Sequence, residues 1–564
     1  MKELENYNLW LSKSDLDKDL REAMQKMSED EIYDAFYCNL EFGTAGIRGV
    51  LGPGTNRMNK YVVRKASYAF GQYVLKYVNN AKSRGVVIAH DNRHMSREFC
   101  IETARVLLTL GVKAYIFDSL RPTPELSFAV RDLNCAGGVV ITASHNPRQY
   151  NGFKVYDEHG CQLVPHLIDK LLEFYNGVHN VFDVKVDLTV DDSIITLDHS
   201  LDLRYYEAVD KIRLNRNLKT KDFTVVYTPE HGTGLKGVEY LLLNQGYNLH
   251  LVKEQCSPDP DFSNTKSPNP EEKGAFEKAI ELAKKVKADL IIATDPDADR
   301  LGVVELHNDE PVYFTGNQTG AMLIEYIINS HKQNGTFKDN YVVFNTIVTS
   351  SLGAKIALAS GVDVKSTLTG FKFIGEQIDI LKKEDKQRFL FGYEESYGYL
   401  ISSICRDKDA LQASTLICEM ACYYKEQGLT LKDVLHNIYE KYGYFYDKVK
   451  SISFSGEQGL QKIKDILQYF RKSKLKRLGD MNVMYLEDYL YSVKEGNHEK
   501  YLLTLPKSNV LRYIFSDGSF VAIRPSGTEP KCKFYFNVIG NNKEDALQKG
   551  LSLEKFIDDL VKTI

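Results

Sequence analysis

The sequence predicts an α/β protein that consists of three similar α/β modules with mixed sheets and a C-terminal α+β domain. Short runs of Val, Ile, Leu and Phe recur along the chain and alternate with longer stretches of helical periodicity. This alternation is typical of β-α-β units around a sheet that is buried on both faces. The length of 564 residues suggests about four domains. We predict their ranges as 1–210, 211–314, 315–443 and 444–564.

The first module contains three apolar runs in the expected order. GVVIAH (Gly85–His90) precedes a helical stretch that starts near Ser96, and VKAYIF (Val112–Phe117) precedes a short helix. GGVVITA (Gly137–Ala143) then ends in a polar loop. Such runs predict buried parallel strands with helices between them.

The second and third modules repeat this order. In the second, a Gly-rich loop follows the first run, and we expect a long helix from Glu271 before the third run. The runs of the second module are FTVVYT (Phe223–Thr228), NLHLV (Asn248–Val252) and ADLIIAT (Ala288–Thr294), and those of the third are YVVFN (Tyr341–Asn345), VDVKSTL (Val362–Leu368) and RFLFGY (Arg388–Tyr393).

The last domain has a different pattern. VLRYIF (Val510–Phe515) and FVAIRP (Phe520–Pro525) flank an Asp-Gly turn, which is a hairpin signal. KFYFNVI (Lys533–Ile539) then leads into an amphipathic stretch from about Lys543. We therefore expect an antiparallel sheet with a C-terminal helix.

Composition excludes several classes of partner. The net charge of −4 gives no reason to expect nucleic acid or an anionic membrane surface as a partner. No apolar run reaches the length of a membrane span, and the N-terminal stretch is charged rather than signal-like. The nine cysteines include no CxxC pair, which favours reduced thiols in a cytoplasmic protein.

Three carboxylates follow the third run of the second module. In Asp295-Pro296-Asp297-Ala298-Asp299-Arg300 the acids occupy alternate positions, and ligands in open α/β sheets bind beyond the carboxyl ends of strands. Oxygen ligands from one short loop suit a hard cation, and Mg²⁺ is the leading candidate. An EF-hand loop needs Gly at its sixth position, where this chain has Arg300. A solvated acidic turn is the structural alternative.

The corresponding loop of the first module carries a serine. Ser144 follows the predicted strand directly, and His145 and Lys154 are nearby candidates for proton transfer. A serine hydroxyl is a poor nucleophile unless a base or a metal activates it. No G-x-S-x-G elbow surrounds Ser144, so a hydrolase triad is not indicated. A hydroxyl that merely caps a turn remains the alternative.

Two further loops offer groups that bind sugars and phosphates. GYEESYG presents Glu394 and Ser396 as partners for sugar hydroxyls, with an acidic surface turn as the alternative. RPSGTEP combines a guanidinium, hydroxyls and glycine amides, which is a suitable cradle for phosphate, although a plain hairpin turn is also possible. The candidate residues of this second loop are Arg524, Ser526, Gly527 and Thr528.

Taken in order, TASHNPRQYNGFKVY, DPDADR, GYEESYG and RPSGTEP resemble the four signature loops of the α-D-phosphohexomutase superfamily over nearly the whole chain. EFGTAGIRG resembles the family's N-terminal segment, whose arginine is Arg48 here. Thr369-Gly370-Phe371-Lys372 resembles a second sugar-contacting loop. The length and the EFGTAGIRG opening are similar to the branch of bacterial α-phosphoglucomutases and phosphopentomutase-like enzymes. The resemblance implies four domains around a central cleft.

The resemblance also implies a mechanism. A phosphoserine at Ser144 would donate its phosphoryl group to a hexose phosphate through a bisphosphate intermediate, glucose 1,6-bisphosphate. Mg²⁺ would be held by Asp295, Asp297, Asp299 and the phosphoserine. Positive charge would come from Arg48, Arg300 and Lys372, while His145, Lys154 and Lys408 are the candidates for proton transfer.

The implied reaction interconverts glucose 1-phosphate and glucose 6-phosphate, with mannose and pentose phosphates as alternative substrates. No P-loop motif is present, so ATP is not implied, and a phosphatase would have to admit water to the phosphoserine. A non-catalytic regulator that binds sugar phosphates would not need Ser144 and the three aspartates, all of which are present. We expect a monomer or a small homo-oligomer.

Overall fold

The computed structural model describes residues 2–43, 46–454, 456–526 and 531–564. The chain divides into two compact units. Unit 1 comprises Met1–Gly316 and Gly370–Gln427, and unit 2 comprises Asn317–Thr369 and Gly428–Ile564. Each unit is described below by itself.

The first α/β region lies in unit 1 and has a six-stranded mixed sheet. Its helices are α1 (Lys2–Ser12), α2 (Lys18–Met24), α3 (Glu29–Phe36), α4 (Lys60–Tyr77), α5 (Ala81–Arg84), α6 (Ser96–Thr109), α7 (Thr123–Asp132), α8 (Pro165–Gly177) and α9 (His199–Asp210). Its strands are β1 (Ile47–Val50), β2 (Val86–His90), β3 (Ala114–Phe117), β4 (Gly137–Ile141), β5 (Tyr150–Tyr156) and β6 (Ile195–Leu197), in the order β1-β5-β4-β2-β3-β6.

Alternate residues of β2 explain why this sheet is covered on both faces. Val86 and Ile88 pack with residues of α4 and α6, whereas Val87 and Ala89 pack with residues of α7. All five residues of β2 are buried, as the continuous apolar run predicts. The carboxyl ends of β2 and β4 therefore meet at one sheet edge, where the parallel register pairs His90 with Ile141.

The second α/β region, also in unit 1, has the strand order β11-β10-β9-β7-β8. The pairs β7–β8 and β7–β9 are parallel, and β9–β10–β11 run antiparallel. The helix predicted from Glu271 is shorter than expected, because a 3₁₀ turn occupies Lys273–Phe276. The elements are β7 (Thr224–Thr228), α10 (Leu235–Asn244), β8 (Asn248–Leu251), α11 (Glu277–Val286), β9 (Leu290–Thr294), β10 (Leu301–His307) and β11 (Glu310–Phe314).

The third region is divided between the two units. In unit 2, β12 pairs in parallel with β13, and in unit 1, β14 and β15 form an antiparallel pair. The elements are α12 (Gly316–Gln333), β12 (Tyr341–Thr346), α13 (Ser351–Ala359), β13 (Asp363–Thr367), α14 (Phe371–Glu384), β14 (Arg388–Glu394), β15 (Gly398–Leu400), α15 (Ala410–Lys425) and α16 (Leu431–Tyr442).

The C-terminal region of unit 2 is an antiparallel sheet in the order β16-β23-β22-β21-β18-β19-β20, with β17 paired to β18. The sequence predicted β21, β22, β23 and the last helix but missed the other strands of this sheet. The elements are β16 (Tyr444–Ser453), α17 (Gly456–Ser473), β17 (Arg477–Leu478), β18 (Met481–Asp488), β19 (Val493–Gly496), β20 (Glu499–Leu502), β21 (Leu511–Phe515), β22 (Phe520–Pro525), β23 (Lys531–Gly540) and α18 (Lys543–Thr563).

The predicted fold class is confirmed, because three α/β regions precede an α+β region. The four domain ranges remain predictions. Within the described part of the chain, no helix combines the length and the apolar character that a membrane crossing requires.

Candidate active site

Ser144 lies in the turn that follows β4. Its backbone has a φ of +52°, in the left-handed region, and its side chain is buried. Oγ donates a hydrogen bond to Oδ2 of Asp295 over 2.7 Å and lies 3.1 Å from Nδ1 of His145. The turn thus directs the hydroxyl from the first α/β region to the aspartate loop of the second.

The aspartate loop follows β9 and folds around its first residue. Oδ1 of Asp295 accepts hydrogen bonds from the amides of Asp299 (3.0 Å) and Arg300 (2.9 Å). Ala298 has a φ of +52°, which allows the chain to turn back toward β10. Asp295, Asp297 and Asp299 are all buried, and one oxygen from each lies within 4.8 Å of the others.

This oxygen set fits a divalent cation. Oδ1 of Asp297 and Oδ1 of Asp299 are buried and have no hydrogen-bond partner among the described residues. An unpaired buried carboxylate oxygen is costly unless a cation or a donor meets it. Burial, reinforced by Asp297 and Asp299, raises the pKa of Asp295 well above its usual value. A bound cation would remove this repulsion.

Two lysines from different elements approach the same carboxylates. Nζ of Lys154, on β5, lies 2.7 Å from Oδ2 of Asp297 and 3.4 Å from Oδ2 of Asp299. Nζ of Lys408 lies 3.1 Å from Oδ2 of Asp299. Burial lowers the pKa of each lysine, but the attraction of the aspartates outweighs it, so that both pKa values are raised. Both lysines are therefore held as cations.

The segment around Lys408 is held on both sides. Asp407 accepts hydrogen bonds from the hydroxyl of Tyr156 (2.8 Å) and from Nζ of Lys408 (3.1 Å). Asp409 caps α15 by accepting from its first amides. A Cβ on Gly398 would stand 2.0 Å from Cδ of Lys408, so the glycine leaves space for the lysine stem.

Arg48 and Arg300, the two arginines of unit 1 that were predicted to supply positive charge, each form a hydrogen bond to another side chain. Nη1 of Arg48, on β1, donates to Oδ1 of Asn146 over 2.9 Å, within the loop that carries Ser144. Nη1 of Arg300 donates to Oε1 of Glu271. The structure thus brings Arg48 to the serine loop and leaves Arg300 at the end of the aspartate loop.

The predicted sugar-binding residues of unit 1 lie near the start of α14 and the end of β14. Oε1 of Glu394 accepts a hydrogen bond from the amide of Gly370 over 2.9 Å. Phe371 begins α14, and its ring lies 5.6 Å from Nζ of Lys408. Burial lowers the pKa of Lys372 to about 8. Ser396 lies half-buried in the turn between β14 and β15.

The remaining predicted residues belong to unit 2. Thr369 follows β13, and Arg524 lies on β22 opposite Lys533. The amide of Ser526 donates to the carbonyl of Lys531 over 2.7 Å. Gly527 and Thr528, also predicted for the phosphate loop, lie outside the described residues.

Sequence reasoning missed two residues that contact the central loops. Thr123, the first residue of α7, donates from its hydroxyl to Oδ2 of Asp297 (2.8 Å) and from its amide to the Asp297 carbonyl (2.9 Å). Arg93, in the loop after β2, hydrogen-bonds to backbone carbonyls of the Ser144 loop. Both follow strands of the first sheet, so the sheet-edge rule, applied to every strand, would have singled them out.

Four family models match the chain. Phosphoglucomutase/phosphomannomutase α/β/α domains I, II and III match residues 39–181, 203–308 and 315–442, respectively. The C-terminal domain of the same family matches residues 471–548. The matches therefore cover most of the chain, in the expected domain order.

Individual relatives agree with these matches. A phosphoglucomutase of Staphylococcus saprophyticus is 38% identical over 96% of this chain and 98% of its own length. One of Staphylococcus epidermidis is 40% identical over 94% of this chain and 98% of its own. The solved structure of parafusin, a phosphoglucomutase from Paramecium, aligns with a TM-score of 0.65 at 18% identity and covers 92% of this chain and 96% of its own, which shows a common fold. The chain belongs to the phosphoglucomutase/phosphomannomutase family, within the α-D-phosphohexomutase superfamily.

Proposed function

We propose that this protein is an α-phosphoglucomutase that interconverts glucose 1-phosphate and glucose 6-phosphate through a phosphoserine at Ser144. The observation that carries the proposal is the 2.7 Å contact between the Ser144 hydroxyl and Asp295, a member of the buried carboxylate trio. Relatives at 37–40% identity over nearly the whole chain are named phosphoglucomutase, which supports glucose phosphate as the substrate.

The metal we propose is Mg²⁺. Asp295, Asp297, Asp299 and a phosphoryl oxygen on Ser144 would hold it, and when bound it would neutralise charge that develops on the transferring phosphoryl group. Asp297 and Asp299 each keep one buried oxygen without a hydrogen-bond partner among the described residues, as cation ligands would. Thr123 and the lysines hold the remaining oxygens of Asp297 and Asp299 in fixed directions.

The chemical step moves one phosphoryl group between two oxygens. The bond from phosphorus to Ser144 Oγ breaks as a bond to the sugar hydroxyl oxygen forms. The hydroxyl proton passes to a base of the protein, and Ser144 regains a proton when it leaves as an alcohol. The hydrogen bond to Asp295 orients Oγ, and the left-handed turn keeps it directed toward the aspartates.

Three side chains are candidates for the proton transfer. His145 Nδ1 lies 3.1 Å from Ser144 Oγ, whereas Lys154 and Lys408 lie on the carboxylates. Lys154 bridges Asp297 and Asp299 from inside a strand, which suits a charge-balancing role. The Nζ of Lys408 lies 5.6 Å from the ring of Phe371, in a predicted sugar-contacting segment. Because Lys408 is held as a cation, we assign to it the donation of a proton to the sugar oxygen when the phosphoryl group returns to Ser144.

We assign substrate binding to two groups of residues. Glu394 and Ser396 would form hydrogen bonds with sugar hydroxyls. The hydrogen bond from the Gly370 amide supports this role of Glu394, because it fixes the direction of the carboxylate. Arg48, Arg300 and Lys372 would contact the phosphates of glucose 1,6-bisphosphate, the intermediate and activator. Further contacts would come from Thr369 and Phe371 and from the phosphate loop of Arg524, Ser526, Gly527 and Thr528.

A substrate panel with a serine variant tests the proposal. Mutase rates are measured on glucose, mannose, ribose and glucosamine phosphates, with Mg²⁺ and a bisphosphate activator supplied. We expect glucose 1-phosphate to give the highest kcat/KM. Ser144→Ala should lose more than about 10³-fold in kcat, as loss of a nucleophile does, and should still bind glucose 1-phosphate in calorimetry.

Ser193→Ala is the matched control, because that serine is exposed. Full activity of Ser144→Ala would contradict the proposal of a phosphoserine at Ser144. A higher kcat/KM on mannose or ribose phosphate would show that this sugar phosphate, and not glucose phosphate, is the preferred substrate. We further propose a cytoplasmic location, which the nine free cysteines support.

A further inference from the structure

Arg93 lies beneath the loop that carries Ser144. It follows β2 in the chain, is separated from Ser144 by 51 residues, and has a fully buried side chain. Burial of an arginine is unfavourable unless its donors are satisfied. The partners of Arg93 therefore indicate what it does.

The guanidinium donates to four backbone carbonyls of a single loop. Nη1 donates to the carbonyls of Pro147 (2.9 Å) and Tyr150 (3.1 Å). Nη2 donates to the carbonyl of Ser144 (2.5 Å) and to that of Asn146. Each terminal nitrogen thus uses both of its N–H groups on the loop, which a lysine ammonium could not do in the same planar arrangement.

Two other groups hold the guanidinium in place. Nε lies 3.2 Å from Oδ2 of Asp91, whose other oxygen accepts from the Arg93 amide over 2.9 Å. The ring of Phe262, from the second α/β region, lies 5.1 Å from the centre of the guanidinium. Arg93 is consequently fixed by residues from two regions of unit 1 while it holds the loop.

The contact explains how the turn at Ser144 is maintained. A left-handed backbone at a residue other than glycine costs about 1 kcal/mol or more and persists only when its surroundings impose it. Arg93 binds the Ser144 carbonyl itself and the carbonyls that follow it. Because its terminal N–H groups are occupied by the loop, Arg93 acts on the hydroxyl through the backbone.

We propose that Arg93 is a positioning residue for phosphoryl transfer, which fixes the turn of Ser144 so that Oγ faces the aspartate trio. This inference rests on the proposed function of Ser144. It adds a residue that none of the four signature loops contains. It also makes the loop after β2 part of the catalytic architecture, although the guanidinium of Arg93 acts through the backbone carbonyls of the Ser144 loop.

Arg93→Lys tests the proposal, because it keeps the charge and removes the fork. We expect kcat for glucose 1-phosphate to fall by about 30- to 100-fold, the usual effect of a misplaced reacting group, with KM changed less than about twofold. Deuterium uptake by a peptide that spans residues 142–150 should rise. Arg97→Lys is the matched control, since Arg97 donates to the carbonyl of Phe117 outside this loop; its kcat and uptake should stay at the wild-type values.

The other outcomes of these experiments also test the proposal. A kcat for Arg93→Lys within twofold of wild type, or a loss equal to that of Arg97→Lys, overturns the proposal. If Arg93→Lys does not fold, Phe262→Leu replaces it, and this variant should lower kcat and raise uptake in the same direction; unchanged values overturn the inference. Failure of the proposed function would appear separately, as mutase activity in Ser144→Ala.

Discussion

The serine loop and the aspartate loop have similar backbones that are held in opposite ways. Each follows a fully buried strand and turns through one residue with a φ of +52°, Ser144 in the first and Ala298 in the second. The serine loop presents carbonyls that a cation, Arg93, binds from elsewhere in the chain. The aspartate loop presents amides that its own anion, Asp295, binds.

The difference assigns separate structural tasks to the aspartates. One oxygen of Asp295 holds the loop and the other accepts from the Ser144 hydroxyl, whereas Asp297 and Asp299 each keep one oxygen without a hydrogen-bond partner in the described structure. Asp295 is therefore both a structural and a ligand residue. The other two can lose charge without loss of the loop's internal hydrogen bonds.

Asp297→Asn provides the most severe test of this division. The change keeps the shape of the side chain and removes a charge from the proposed metal site, so we expect kcat to fall about 10³-fold, as when a preorganised electrostatic group is lost. The Mg²⁺ concentration for half-maximal activity should rise, while the melting temperature without metal should fall modestly, because Lys154 loses the charge of Asp297 but keeps that of Asp299. A magnesium titration of the mutase rate measures the first effect and circular dichroism the second.

Asp309→Asn is the control for that experiment, because Asp309 lies exposed in the turn between β10 and β11. It should behave as the wild type in both measurements. An Asp297→Asn protein with unchanged magnesium dependence would place the metal elsewhere. One that has lost its fold would mean that Asp297, like Asp295, is needed for the loop.

The same contrast explains what the sequence could predict. The aspartate loop was readable because its carboxylates and the amides they bind lie within six consecutive residues. The residue that supports the serine loop could not be predicted from the sequence, because the contact between Arg93 and Ser144 joins residues 51 positions apart. The hydrogen bond between Thr123 and Asp297 was missed for the same reason, because these residues are 174 positions apart. A single sequence shows local patterns, whereas contacts between distant residues arise only from the tertiary structure.

The fold could be predicted in the same uneven way. Buried strands such as β2 and β9 are continuous apolar runs, and the sequence located them within one or two residues. The strand β5 begins in the polar segment Tyr150–Asn151, which the motif reading treated as loop. Likewise β20 is exposed along its length, so it lacks an apolar signal.

Lys408 and Lys154 extend the comparison to the cations of the aspartate loop. Lys154 bridges two aspartates, while Lys408 pairs with Asp299 and Asp407. We expect Lys408→Met to lower kcat about 10²-fold, as loss of a proton-transfer group does, with a small change in melting temperature. Lys154→Met should chiefly lower the melting temperature, because it leaves two buried carboxylates without their shared partner.

Rate measurements in parallel with thermal unfolding separate the two lysines. His145→Gln serves as a third arm, because His145 is the remaining candidate for the proton. If Lys154→Met or His145→Gln loses more kcat than Lys408→Met while it stays folded, our assignment of the proton to Lys408 is wrong.

Lys372 differs from both of these lysines in how its charge is held. The aspartates raise the pKa values of Lys154 and Lys408, whereas burial lowers that of Lys372 to about 8. Lys372 is therefore charged below about pH 8 and neutral above it. Since a hydrogen bond from a charged donor contributes about 1.5–3 kcal/mol, KM for glucose 1-phosphate should rise about tenfold between pH 7 and pH 9.

The variant Lys372→Arg isolates this effect from the ionisation of the substrate. An arginine stays charged across the range, so KM should change less with pH in the variant than in the wild type, even if its absolute value is higher. Substrate phosphate is already doubly charged over most of this range, since its second pKa is near 6, and contributes equally to both proteins. Parallel profiles for the two proteins would show that the charge of Lys372 does not bind the substrate.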